Sequence, residues 1–310
     1  MEHSISYKQA ATRIGWGMAA FFLVSQLAQG ILVGILKVVS PELVTSMAVQ
    51  LLLSDFSIYC IGFPVLVLIC KRLETQKQPP VARRKMSWRL FYKSLCMAFA
   101  ATYAASFLYS IVMEALSSLT GFSLNQNALE DIVNNISIPE QVLLFCIIPP
   151  ILEELVFRKY LYSKVGGYGH NAYILVSGLC FGLFHGNLNQ FVYAFALGAL
   201  FAWMHLTTGK VIYGMAMHAV VNLVGSVIAP LVMENDVAAG VLGLFILVVI
   251  GYGAWIFFLA KRAGDFAPPS GQPQPYPLVR TTVLNSGMMV YILLFVLTSI
   301  LSLVSYALLA

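Results

Sequence analysis

The chain has 310 residues, of which 59% are hydrophobic and only 10% charged, with a mean hydropathy of +0.83. Soluble domains carry about 25% charged residues, so too little charge remains here to coat a surface, and soluble, disordered and fibrous classes are excluded. The net charge of +5 does not mark a nucleic-acid binder: eight of the 18 basic residues fall between Lys71 and Lys93 and none between Ser94 and Phe157, the unevenness of a membrane topology signal.

A membrane-crossing helix needs about 20 mostly apolar residues. The sequence predicts such helices over about 14–36, 44–70, 94–118, 140–162, 172–187, 191–206, 211–232, 237–260 and 284–308. The first apolar run exceeds the roughly 7–15 residues of a signal-peptide core and lacks a small-x-small cleavage site, so it reads as a span. The fifth and sixth are short and weakly separated by Gly186-Asn187-Leu188-Asn189-Gln190, a possible re-entrant pair. The expected fold class is therefore all-α: a polytopic transmembrane helical bundle of eight or nine spans.

Basic residues at 71–93, Lys159, Lys164, Lys210, Lys261 and Arg262 alternate along the chain with acid-bearing loops. Those loops hold Glu130, Asp131 and Glu140, then Glu234 and Asp236. The positive-inside rule puts the basic set in the cytoplasm, with the N-terminus (Lys8, Arg13) inside and the C-terminus outside; Lys37 runs against the pattern. Residues 73–86, with Pro79-Pro80, and the Pro-rich 264–278 read as linkers. The chain divides into 1–139 (N-terminal helices and basic loop), 140–260 (a core rich in intramembrane polar groups) and 261–310 (Pro-rich loop and last helix). The five cysteines, Cys60, Cys70, Cys96, Cys146 and Cys180, lie in apolar stretches without a CxxC pair. They read as small buried hydrophobes rather than a disulfide framework or thiolate zinc site.

Placing an ionisable side chain in hydrocarbon costs about 2.5–3.5 kcal/mol, so each needs a reason. Glu153 and Glu154 fall in the fourth helix, His185 near the end of the fifth and His218 in the seventh; Asp55 and Glu114 are further intramembrane acids. At a rise of about 1.5 Å per residue, Glu154 lies ~15 Å in from Lys164 and His185 ~20 Å from Ala172. Counted from Lys210, His218 is ~12 Å in and Asn222 ~18 Å. Four groups from three helices thus share one depth, measured from one face. Glu154 and Arg158 are i,i+4 neighbours, as are His218 and Asn222. Glu153 is turned about 100° from Glu154, so one glutamate alone points squarely at a given centre. Pro149-Pro150, a turn earlier, permits a kink.

A mid-depth glutamate with an imidazole opposite holds a water and acts as general base, and a second histidine with an asparagine suits a developing oxyanion. That set describes amide hydrolysis. Glu153, His185 and His218 are equally three zinc ligands with water at the fourth position, although no HExxH spacing enforces zinc, so the cofactor is none or zinc. Three other classes compete. The polar groups could fix helix packing, or form the relay of a proton-coupled transporter, whose usual internal repeat is not visible here. A non-catalytic immunity or scaffold protein would keep the pocket and work by binding. Arg158 reads equally as a snorkelling cation, Phe181 as packing, His170 and His205 as solvated side chains, and Asn187 and Asn189 as caps of a broken helix.

Glu153-Glu154-x-x-x-Arg158, Phe181-x-x-x-His185 and His218-x-x-x-Asn222 together resemble the three motifs of the CPBP intramembrane proteases. That family groups CAAX prenyl proteases with bacteriocin-processing and self-immunity proteins and is also called Abi or the type II CAAX endopeptidase family. The resemblance covers about 150–225. It implies Glu153 as general base acting with His185 on the attacking water, Arg158 orienting Glu154, and His218 with Asn222 stabilising the oxyanion, with Phe181 supporting. It also implies a peptide or protein substrate, lipidated in the prenyl-protease members, in contact with membrane lipid and not nucleic acid, in a bacterial cell membrane. Metal use is open between a glutamate-activated water and a zinc site. No lipid-binding signature accompanies the motifs, so cleavage of a prenylated tail is one member activity among others.

Overall fold

The computed structural model describes residues 5–73, 84–121, 135–263 and 276–309, and all regular elements among them are helical. Nine long segments follow one another: α1 (Tyr7–Val39), α2 (Met47–Cys70), α3 (Trp88–Thr120), α4 (138–165), α5 (His170–Phe184), α6 (Leu188–Thr208), α7 (Ile212–Met233), α8 (Asp236–Arg262) and α9 (Ser286–Leu309). The polytopic all-helical bundle is thus as expected. Seven of these helices are long and apolar enough to cross a membrane; α4 and α5 are the two that are not. Pro79-Pro80, the acids Glu130 and Asp131, and residues 264–275 lie outside the described residues.

Helices overrun the apolar stretches where polar caps extend them. Ser6 and Gln9 form a reciprocal capping box that starts α1 at Tyr7, a full turn and more before the apolar run. Ser87 caps α3 on the Leu90 amide, and the left-handed Gly121 (φ 75°) ends it. On α8, Leu244, Leu247 and Phe258 are each about two-thirds exposed, an apolar surface that only hydrocarbon would cover without penalty.

Contacts between helix ends sort the bundle into two faces. The Lys164 ammonium donates to the Leu73 carbonyl, Tyr168 to the Ile5 carbonyl and the Arg84 amide to the Thr207 carbonyl, while Tyr7 and Thr282 share a buried hydroxyl pair. The start of α1, the ends of α2, α4 and α6, and the turn before α9 therefore meet at one end, where the basic residues of the sequence gather. Lys37 sits in the last turn of α1 at the other end, where a cation offsets the helix dipole. Glu114 is exposed two turns before the end of α3. Asp55 is half-buried inside α2.

Among the described residues four stretches wind as π-helix: 57–62, 142–147, 154–160 and 224–228. Three of them run directly into a proline or proline pair, Pro64, Pro149-Pro150 and Pro230. Proline lacks the amide that closes the i→i−4 bond and its ring crowds that carbonyl, so the preceding turn widens. The amide of Ile148, for instance, bonds back five residues to Leu143. The stretch 154–160 has no proline, and it is the one that carries Glu154 and Arg158.

Candidate active site

The site begins with how 154–160 is held open. Widening the helix there leaves carbonyls to be met from outside, and α5 meets them: Ser177 Oγ donates to the Phe157 carbonyl at 2.9 Å and Tyr173 to the Arg158 carbonyl at 3.2 Å. Tyr173, Ser177, Phe181 and His185 are spaced by four and form one stripe of α5 laid along α4. The tyrosine also pairs with His205 Nδ1 at 3.0 Å, so His205 is tied into the core and His170 is buried; neither is the solvated histidine expected.

On that frame the two adjacent glutamates part company. Glu154 and Arg158 are both fully buried and meet at 3.1 Å. The guanidinium also lies over the Phe181 ring at 4.2 Å and faces Phe201 at 5.3 Å. A buried charge needs a partner, and here each is the other's. Helix α7 comes down directly on the carboxylate at Gly214, where a Cβ would stand 2.6 Å from Glu154 Oε2. Glu153 keeps 15% of its side-chain surface open.

His218, one turn after Gly214, bridges the pair: Nδ1 is 3.5 Å from Glu154 Oε1 and Nε2 is 3.5 Å from Glu153 Oε2. Its ring packs against Phe181 (5.7 Å) and Phe201 (5.6 Å). His185 stands at the C-terminus of α5, edge-on to the same Phe181 at 4.9 Å. Its Nδ1 lies 2.9 Å from the Phe181 carbonyl. A carbonyl only accepts, so Nδ1 carries the proton and Nε2 presents a lone pair. Phe181, expected as packing, is the hub against which Arg158 and both histidines are ordered. The turn after His185 is fixed by Asn187, which caps α6 on the Gln190 amide and donates to the His185 carbonyl.

The structure thus brings Glu153, Glu154, Arg158, Phe181, His185 and His218 together. Asn222 is half-engaged elsewhere: its Nδ2 donates at 2.8 Å to the Phe145 carbonyl. The reason lies in α4. The residues four and five beyond Phe145 are Pro149 and Pro150, so neither an α nor a π bond is available to that carbonyl. Asn222 supplies the missing donor from 77 residues away. Among the described residues no three His, Cys, Asp or Glu side chains are gathered as metal ligands. Glu153, His185 and His218 are thus not grouped as three ligands in this arrangement.

Sequence reasoning missed Gly214, Phe201, Tyr173 and Ser177. Gly214 carried a signal, a glycine one turn before an intramembrane histidine. The α5 stripe carried one too, in its spacing of four. Phe201 carried none.

Residues 135–224 match the family model described as "Type II CAAX prenyl endopeptidase Rce1-like". The match covers less than a third of the chain and includes all three motifs, so the similarity to CPBP proteases is shown over that segment. The chain is also 28% identical over 102 residues to "Putative membrane peptidase YdiL" of Bacillus subtilis (strain 168), spanning 32% of this chain and 40% of that relative's length. No solved structure matches.

Proposed function

We propose that this protein is an endopeptidase that hydrolyses a peptide bond within the bilayer, using Glu153 as the general base. The observation that carries this reading is the division between neighbours. Of the two, Glu154 is sealed and neutralised by Arg158, which leaves Glu153 as the partly open carboxylate, 3.5 Å from the His218 imidazole. A water held between Glu153 and His185 Nε2 gives its proton to Glu153 as its oxygen attacks the peptide carbonyl. The C–N bond then breaks and the departing amine takes that proton. His218, which faces Glu153 through Nε2 at 3.5 Å, turns that nitrogen's N–H to the oxyanion as it develops, and Asn222 holds the Pro149-Pro150 kink that sets the level of the glutamates.

The substrate is a membrane-associated peptide, with a prenylated C-terminal tail as one member of that class. A largely apolar cleft of about 470 Å³, lined by Leu52, Asp55, Phe56, Tyr59 and Leu152, opens between α2 and α4 at the residue before Glu153 and favours a chain arriving through lipid. The gathering of the basic ends on one face supports a cytoplasmic N-terminus, and the Bacillus relative supports a bacterial membrane.

Glu153→Gln and His185→Ala, each in proteoliposomes with a quenched-fluorescent membrane peptide, are expected to lose at least about 100-fold in cleavage rate while melting as the parent does. A folded variant of either kind that still cleaves overturns the reading. Cleavage that disappears on exhaustive chelation and returns with zinc overturns the metal-free step.

A further inference from the structure

At the basic end of the bundle, away from the segment that matches the protease family, α1 and α2 part to leave a cavity of about 560 Å³. Its walls are Ile5, just before α1, and Lys8, Gln9, Thr12, Arg13 and Trp16 on one face of α1, with Ile69 of α2 opposite. Below it the helices close: a Cβ on Gly17 would meet Leu66 Cδ1 at 2.8 Å, and Cys70 Sγ donates to the Arg13 carbonyl at 3.9 Å. The polar neutral groups are already engaged, Gln9 with Ser6 and the Thr12 hydroxyl with the Lys8 carbonyl at 2.7 Å. The two cations are not. Neither Lys8 nor Arg13 meets a carboxylate among the described residues. Trp16, 46% exposed, stands about 12 Å along the helix from Lys8, so the charged mouth grades into an amphipathic ring and then into Ile69.

We propose that this cavity is a binding site for one anionic phospholipid. The headgroup phosphate is held between the Lys8 ammonium and the Arg13 guanidinium, and the upper acyl chain lies on Trp16 and Ile69. A phosphate matches two cations that meet no carboxylate among the described residues, an indole ring belongs at the headgroup level, and a basic pocket between helices at this face is the shape that such a headgroup fills. Free phosphate would use the cations but leave the apolar wall uncovered. The site is independent of the proposed protease chemistry.

Native mass spectrometry of the full chain, released from nanodiscs of equal phosphatidylglycerol and phosphatidylcholine, tests the assignment. One phosphatidylglycerol is expected to stay bound in preference to phosphatidylcholine. A lysine or arginine near an anionic headgroup is worth roughly fivefold in affinity, so Lys8→Gln/Arg13→Gln is expected to reduce retention by about 25-fold. Lys261→Gln/Arg262→Gln at the end of α8 is expected to leave it unchanged. Brominated phosphatidylglycerol is expected to quench the parent more than the Trp16→Phe variant. Equal retention in the Lys8/Arg13 variant, or equal loss in the Lys261/Arg262 variant, overturns the site. Displacement by inorganic phosphate at the concentration at which a short-chain phosphatidylglycerol displaces would reassign it to a free anion and also overturn the lipid.

Discussion

Two consecutive glutamates that differ in everything but chemistry make the sharpest test at the scale of single residues. Removing one partner of a fully buried ion pair strands the other, which costs about 3–5 kcal/mol. Glu154→Gln is therefore expected to lower the melting temperature well before any effect on turnover is read, whereas Glu153→Gln is expected to leave melting intact and remove cleavage. The double variant Glu154→Leu/Arg158→Met is expected to melt closer to the parent than either single change, since it removes both charges together; thermal melts of the full cycle measure that coupling. Asn222 tests a different assignment. If its main task is the Phe145 carbonyl, Asn222→Ala costs about 1–3 kcal/mol of stability for the orphaned acceptor. A variant that melts normally but loses turnover would make it an oxyanion donor instead. The three motifs were legible as sequence because each is local, two polar groups or a ring and a polar group four apart. The Asn222–Phe145 bond joins segments 77 residues apart, and no spacing announces it.

At the scale of elements, two of the three helices that carry the proposed site, α4 and α5, fail a simple hydropathy test. α4 is interrupted by polar residues and prolines and α5 is only 15 residues long, and those departures are where Glu153, Glu154 and His185 stand. The other spans were legible because a lipid-facing helix must be apolar nearly all round. Three of the four π stretches were readable in principle, each from the proline that ends it. The fourth, 154–160, was not, because it is held open by hydroxyls of α5 and by nothing in its own sequence. The short α5 also packs by small residues. Gly178 and Gly182 are four apart, and a Cβ at either would stand 3.0 Å from a carbonyl oxygen of α6, Phe195 and Phe191 respectively. The corresponding test lies on α7. Gly214→Ala places a methyl 2.6 Å from Glu154 Oε2, so the carboxylate and with it His218 must shift. Cleavage is expected to fall at least about tenfold, as sub-ångström misplacement of reacting groups does, with the helical content by circular dichroism unchanged.

For the whole molecule, the topology follows from a handful of charges. Basic residues at the ends of α2, α4, α6 and α8 come to one face together with the start of α1. Orientation in the membrane is expected to follow with that face in the cytoplasm. Single cysteines replacing Lys71 and Lys261 should resist a membrane-impermeant maleimide in intact cells and react after permeabilisation, while those replacing Glu42 and Glu234 should react at once. The opposite pattern would invert the protein. The division of labour between helices was not legible from composition, because the N-terminal and C-terminal helices look like generic spans. In the folded chain they pack on α5 and on the turn that follows His185.

That arrangement bears on when the proposed activity begins. The turn at Gly186, in the left-handed conformation at φ 66°, is roofed by Phe22 of α1 and by Thr298 and Ser299 of α9, the last of these donating to its carbonyl. A nascent chain that has inserted α1 through α7 already holds every group of the proposed mechanism, yet the α9 side of the Gly186 turn is still uncovered. Activity is therefore expected to await the docking of α9. A chain stopped at residue 270 is expected to insert and remain silent in the peptide assay. Supplying residues 271–310 as a separate polypeptide in the same membrane is expected to restore cleavage.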